Sequence, residues 1–174
     1  MKIKSGKYKG RNINVPKSAK PPKSIVANSI FSTLGDFIVN STCLDLFAGS
    51  GYFGIESLSR GAKHCDFVEI DSQSVKTLKS NLESLNLFQK SAVNRLDALK
   101  FIGSAETTYD LIFVDPPFNF PSAHLLKILE YCLKKDSIVV YHYPCKNYFK
   151  LPNTLKGIKE KRFGRSCIYY IKPA

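Results

Sequence analysis

From residue 42 onward, short apolar segments alternate with amphipathic ones, and few architectures accommodate that order. Apolar runs near 43–47, 65–70, 92–96, 110–114 and 137–142 read as strands, separated by helical patterns at 52–60, 72–86, 97–102 and 121–133. Parallel strands need crossover connections, and a largely apolar strand needs cover on both faces. The pattern therefore predicts an α/β fold, a mostly parallel sheet with helices on both faces. Two further strands, about 155–162 and 166–172, have no helix between them and turn at Gly164, which predicts an antiparallel hairpin at one end of the sheet.

The segment before residue 42 is of another kind. Ile13 and Val15 alternate with polar residues, and Gly6 and Gly10 punctuate a short β arm over 1–15. Pro16 and Pro21-Pro22 stop regular structure, and Ser24 stands as the N-cap of a helix carrying Ile25, Val26, Ile30, Phe31, Leu34 and Phe37 at helical spacing. The expected organisation is a basic N-terminal arm over 1–23, an appendage, followed by one domain over 24–174.

Charge separates along the same lines. Residues 1–35 hold eight Lys and Arg and no acid, residues 146–174 hold eight against Glu160 alone, and the chain carries a net charge of +12, so the middle is slightly acidic. Aromatic residues are interleaved with these cations: Tyr8 among Lys7, Lys9 and Arg11, and Tyr148, Phe149 and Phe163 among Lys146, Lys150, Arg162 and Arg165. Stacking faces beside phosphate-binding cations point to nucleic acid, with solvated solubility charges as the alternative. Lys20 and Lys23 extend the basic set towards the first helix. No apolar run approaches the roughly 20 residues of a membrane helix and no secretory leader is visible, which predicts a cytoplasmic protein without a membrane partner. Cys43, Cys65, Cys132, Cys145 and Cys167 are odd in number and widely spaced, so they read as buried thiols, not as a disulfide framework or a zinc site. No metal site is expected.

Two motifs carry chemistry. The first strand runs into Ala48-Gly49-Ser50-Gly51-Tyr52-Phe53-Gly54, a Gly-x-Gly-x-x-Gly spacing directly before a helix. Glycines at 49 and 51 let backbone turn sharply and approach a ligand closely at the carboxyl end of a strand. Glu69 or Asp71, at the end of the second strand, is placed to bind a ribose. A dinucleotide and S-adenosylmethionine both fit; Asp45, just before the loop, could pair with the ammonium of the second.

The fourth strand ends in Asp115-Pro116-Pro117-Phe118. Two prolines remove backbone donors and fix φ, which leaves nearby carbonyls available as acceptors. The Asp115 carboxylate and the Pro116 carbonyl could accept the hydrogens of an exocyclic base amine and turn its lone pair towards a methyl donor. Phe118 offers a face for a base taken out of its stack. The residues alone thus reach amino methylation, with a nicotinamide-dependent dehydrogenase, a DNA amino-methyltransferase (adenine N6 or cytosine N4) and a catalytically inactive nucleic-acid-binding module as alternatives.

Taken together, Ser5-Gly6-Lys7-Tyr8-Lys9-Gly10-Arg11, Ile30-Phe31, Leu44 through Gly51, Gly54-Ile55-Glu56, Leu58 through Ala62, Phe67-Val68-Glu69 with Asp71, and Phe113 through Phe118 resemble the RsmD-type small-subunit ribosomal RNA guanine-N2 methyltransferases. These belong to the class I, Rossmann-like S-adenosylmethionine-dependent methyltransferases. The resemblance implies a seven-stranded sheet and rRNA processing by methylation of one guanine amino group in 16S ribosomal RNA, already assembled in a small-subunit particle; nothing in the sequence demands more than a monomer. It also implies that Asp45 with 48–51 holds the methionine part of the cofactor, Glu69 the ribose and Asp97 with Ala98 the adenine, with Phe47, Ile70, Asp71 and Asp115 beside them. Asp115, Pro116, Pro117 and Phe118 would hold the base, and Lys7, Tyr8, Lys9, Arg11, Lys20, Lys23, Arg162 and Arg165 the RNA. The chain departs from the family at Ile25 and Ala27, where arginines are usual, at Asn28, where an acid is usual, and at His142, where a glutamate is often found. By itself, a lone histidine such as His142, His64 or His124 reads as structural.

Overall fold

The computed structural model describes residues 1–17, 21–117, 120, 122–145 and 150–174, without the side chain of Ser122. In chain order the elements are α1 (Ser24–Leu34), β1 (Thr42–Leu46), α2 (Tyr52–Ser59), β2 (His64–Val68), α3 (Ser72–Ser84), β3 (Ser91–Asn94), α4 (Ala98–Gly103), β4 (Tyr109–Val114), α5 (Ser122–Leu129), β5 (Leu133–Pro144), β6 (Leu155–Phe163) and β7 (Ser166–Pro173). They form one seven-stranded sheet in the order β3-β2-β1-β4-β5-β7-β6. Pairings from β3 through β5 are parallel, and β5–β7 and β7–β6 are antiparallel. The expected α/β class and C-terminal hairpin are both present, with Gly164 at φ 64° in the hairpin turn.

Side-chain alternation along the strands divides the core in two. Cys43, Cys65, Phe67, Leu111 and Phe113 point to one face, where Ile30 and Phe31 of α1, Ile55 of α2 and Leu78 and Leu82 of α3 cover them. Leu44, Leu46, Val68, Ile112 and Val114 point to the other, under Ala98 and Ile102 of α4 and Leu125, Leu126 and Leu129 of α5. Helix starts follow local chemistry: the Asp71 side chain accepts from Ser74 N–H to cap α3, and Asp97 accepts from Leu99 and Lys100 N–H to cap α4. Ser24 is instead the first residue of α1; Lys23 occupies the cap position, with no side-chain hydrogen bond.

Other boundaries also differ from expectation. The last helix ends at Leu129, and β5 begins at Leu133 instead of 137. Charged Lys134-Lys135-Asp136 can join the strand because a register shift lies between Tyr109 and Leu111 of its β4 partner. Ser137 Oγ accepts from Lys134 N–H and donates to Tyr109 O, satisfying the irregular backbone.

The N-terminal arm is no appendage. One antiparallel bridge, Lys2 to Asn12, closes the expected hairpin-like loop, while Ile3 and Ile13 enter the core at 1% exposure. Lys4 N–H donates to buried Glu56 Oε2, Lys7 N–H to Ser59 O and Tyr8 N–H to Ser59 Oγ, which stitches the arm onto α2. Asn81 of α3 accepts from Asn14 N–H and donates to Asn14 O and Ser50 O, so one side chain joins arm, helix and glycine-rich loop. The polar pattern of 1–15 hid this, because most of these bonds use arm backbone, which any sequence carries.

The cysteine expectation needs correction in part. Cys43, Cys65 and Cys132 are buried thiols, but Cys145 and Cys167 form a disulfide. Antiparallel pairing of β5 with β7 brings the two within 5.0 Å at Cα, and Cys145 N–H donates to Arg165 O. No sequence spacing reveals that proximity. No helix among the described residues is long and apolar enough to cross a membrane.

The approach of α2 to the sheet depends on Gly54. A Cβ there would lie 2.3 Å from Phe67 Cε1 and 2.6 Å from Cys65 Sγ. Gly54→Ala should therefore destabilise the protein by about 2–4 kcal/mol, read as a lower urea midpoint at unchanged m value.

Candidate active site

Strand order reverses between β1 and β4, and in open α/β sheets ligands bind beyond the carboxyl ends of the strands at such a point. Leu46 and Val114 are register partners, so Phe47 and Asp115 leave the sheet side by side. A cavity of about 610 Å³ opens there, walled by Phe47 through Ser50, Glu69 through Asp71, Asp115 through Pro117, and His142. Apolar cover comes from Val26, Tyr52, Phe53 and Phe163, and Pro21, Pro22 and Lys23 close one side.

The loop is bent by left-handed backbone at Phe47 (φ 61°), Gly49 (φ 53°) and Gly51 (φ 79°). Only glycine serves at 51, where a Cβ would also meet Leu78 Cδ1 at 2.3 Å. Phe47 adopts φ > 0 with a full side chain, a strained choice held by an edge-on contact with Phe120 at 4.8 Å between ring centroids. Glu69 fastens the loop to the end of β2: its Oε2 accepts from Gly49 N–H and its Oε1 from Asp71 N–H, each at 2.8 Å.

Asp45 lies behind the loop at 2% exposure, and its Oδ2 accepts from Gly54 N–H at 2.9 Å. Burial holds its carboxyl well above the ordinary value of 3.8; the Gly54 bond opposes that, and the Asp115 and Glu69 charges add to it. The Glu69, Asp71 and Asp115 carboxylates on the cavity wall produce a negative potential, which suits a cationic ligand.

Of the expected cofactor residues, Phe47, Ala48, Gly49, Ser50, Glu69, Ile70, Asp71 and Asp115 line the cavity. Asp45 and Gly51 lie behind that wall. Asp97 and Ala98 are also off it: the Asp97 side chain caps α4, and Ala98 is buried at 4% exposure. Pro116 and Pro117 are on the wall, and among the described residues the Pro116 carbonyl accepts no hydrogen bond, whereas Pro117 O accepts from Phe120 N–H. Phe118 lies outside the described residues.

The basic candidates split into two groups. Lys23 is on the cavity wall, and Arg162 and Arg165 flank the β6–β7 turn, whose Phe163 and Ser166 line the same cavity. Lys7, Lys9 and Arg11 are exposed on the arm; Arg11 Nη2 donates to Ser84 O, and Lys7 Nζ sits 5.5 Å above the Tyr8 ring. Lys20, Lys146, Tyr148 and Phe149 lie outside the described residues. Ile25 and Asn28 face solvent, while Ala27 is in the core.

Sequence reasoning passed over His142. It stands at the carboxyl end of β5 on the cavity wall, with Nδ1 2.8 Å from Asp115 Oδ1. Its position at a strand end beside the Asp-Pro-Pro strand was the available signal, but no motif linked residues 27 apart.

Comparison with known proteins agrees with this geometry. The family model described as Conserved hypothetical protein 95 matches residues 1–172. "Ribosomal RNA small subunit methyltransferase D" of Buchnera aphidicola subsp. Acyrthosiphon pisum is 33% identical, covering 97% of this chain and 92% of its own length. Its Escherichia coli K12 namesake is 37% identical over 121 residues, covering 68% and 61%. Among solved structures, a candidate methyltransferase of Escherichia coli superposes with a TM-score of 0.90 at 27% identity, covering 99% of this chain and 97% of that one.

The surroundings of Asp45 generate a prediction. Its folded form binds a proton more tightly than the unfolded chain does, so stability declines as pH rises from 3.8 towards the raised folded value. Asp45→Asn keeps an acceptor for Gly54 and removes the buried charge. The ligand-free variant should unfold at a higher temperature at pH 7, by about 2–4 °C per kcal/mol recovered, and lack that decline in thermal scans upward from about pH 4. It should bind a cationic ligand at least about tenfold more weakly, by titration calorimetry.

Proposed function

The chain belongs to the Conserved hypothetical protein 95 family, which comprises the RsmD-type methyltransferases, and from that premise we propose that it methylates the exocyclic N2 amine of a guanine in 16S ribosomal RNA, using S-adenosylmethionine. The observation that carries this reading is the juxtaposition, in one cavity, of Asp115 and the Pro116 carbonyl with the glycine loop and its carboxylates. A dehydrogenase has no use for the first pair.

The residues present fit the cofactor. Its ammonium and sulfonium are cationic, matching the negative potential of the carboxylates at the cavity, and the loop residues Ala48, Gly49 and Ser50 line the cavity where it would bind. Each Glu69 oxygen accepts from one backbone N–H and keeps a second lone pair for a ribose hydroxyl, and Asp71 stands beside it on the wall. Ile70, 63% exposed on the cavity wall, offers an apolar face to the adenine, with Asp97 and Ala98 further along the same edge. S-adenosylmethionine when bound supplies a methyl group activated by a positive sulfur.

The chain's own part is to hold the amine. An exocyclic base nitrogen is a poor nucleophile because its lone pair is delocalised into the ring. Acceptance of its two hydrogens by Asp115 and Pro116 O localises that pair and aims it. Transfer of the methyl from sulfur to nitrogen exchanges an S–C bond for an N–C bond and leaves the nitrogen with one proton too many, for which Asp115 is the adjacent acceptor. The prolines keep the acceptor geometry rigid, and Phe118 is proposed as the stacking face for the extruded base. Lys23 on the cavity wall and Arg162 and Arg165 beside the β6–β7 turn, with Lys7, Tyr8, Lys9, Arg11 and Lys20, are the proposed RNA contacts. Following the resemblance, the substrate form is the assembled small-subunit particle, met in the cytoplasm by a single copy of the chain.

The test is transfer of labelled methyl from S-adenosylmethionine to unmethylated small-subunit particles, free ribosomal RNA and duplex DNA in parallel, with nucleoside analysis of the product. N2-methylguanosine from RNA supports the reading; methyladenine or methylcytosine in DNA, or no product, overturns it. Asp115→Ala should leave cofactor binding nearly intact and lower turnover by about two orders of magnitude or more in single-turnover assays. RNA affinity should fall with salt at a log–log slope of roughly −4 if about five cations meet phosphates, and Arg162→Ala or Arg165→Ala should each reduce that slope by about 1 in filter-binding titrations.

A further inference from the structure

Prolines at 116 and 117 restrict the backbone after Asp115, but they do not restrain its side chain. A carboxylate in this place has reason to turn away, because the Glu69 and Asp71 carboxylates line the same cavity. The restraint that the structure provides is His142, whose Nδ1 lies 2.8 Å from Asp115 Oδ1. We propose that His142 is a positioning residue: it clamps one oxygen of Asp115 so that the other remains an acceptor for the target amine.

An ionised carboxylate only accepts hydrogen bonds, so the shared proton belongs to Nδ1. Nε2 is enclosed and has no partner among the described residues. A second proton there would place a buried N–H without an acceptor, so the neutral ring with hydrogen on Nδ1 is the form that both nitrogens accommodate. The ring sits firmly. His142 pairs in register with Ile168 of β7, its neighbour Tyr141 pairs with Val114 at the end of β4, and its side chain is only 17% exposed. Asp115 is more open, at 31%, and its Oδ2 has no partner among the described residues. A neutral donor also has an advantage over lysine or arginine, since it orients the carboxylate without adding a positive charge beside a cationic methyl donor.

This inference deepens the amino-methylation reading and rests on it. His142→Leu should lower kcat by about 10- to 100-fold, with the Kd for S-adenosylmethionine, the KM for RNA and the unfolding temperature little changed. His142→Asn, whose amide nitrogen takes the place of Nδ1, should recover most of that loss. A leucine variant as fast as wild type, or an asparagine variant as slow as leucine, overturns the proposal. Nitrogen-15 spectra of the imidazole provide a readout that does not depend on activity: hydrogen on Nδ1 is expected, changing in Asp115→Ala, and hydrogen on Nε2 in the wild type overturns the clamp. If the wild type methylates no amine, the functional reading fails while the spectra still decide the pairing.

Discussion

Parallel pairing of β1 with β4 sets Leu46 beside Val114, two residues far apart in sequence, and the chemistry is arranged around that contact. One strand delivers the glycine loop and the other the Asp-Pro-Pro turn, and both must end at the same edge of the sheet because they run in the same direction. Close packing of α2 on β2 at Gly54 keeps the loop in place, and the Gly54 amide also satisfies Asp45. Fold and site therefore share one set of interactions.

Electrostatics supply the second theme. A chain of net charge +12 has three carboxylates around its cavity, while cations are placed on the surrounding surface. Burial strains a further acid, Asp45, behind the cavity wall. The site is unfavourable as it stands and becomes favourable when a positive ligand enters, which is how a pocket gains selectivity for a sulfonium over a neutral adenosine. Exposed cations such as Lys7 and Lys9 on the arm leave that balance undisturbed, because salt screens solvent-exposed charges over about 8–10 Å.

Much of the architecture was legible because it is written in local chemistry. Strand and helix alternation follows from the apolar pattern at 43–47, 65–70 and 110–114, and the hairpin from Gly164. The arm was misread because Ile3 and Ile13 are isolated apolar residues in a basic segment, and their burial depends on backbone bonds to Glu56 and Ser59. Cys145 and Cys167 were misread for a similar reason: only the β5–β7 register brings them together.

The sequence by itself determined the sheet, the glycine loop, the two prolines after Asp115 and the basic flanks, since each follows from residue types within a few positions of one another. Only the tertiary structure decided that Asp45 is buried against two other acids, that Asn81 joins arm to loop, that Lys23 lines the cavity while Lys7 and Arg11 lie on the arm, and that His142 meets Asp115. Those relations depend on strand order and register, which arise from global packing of both faces and are encoded in no single stretch of the chain.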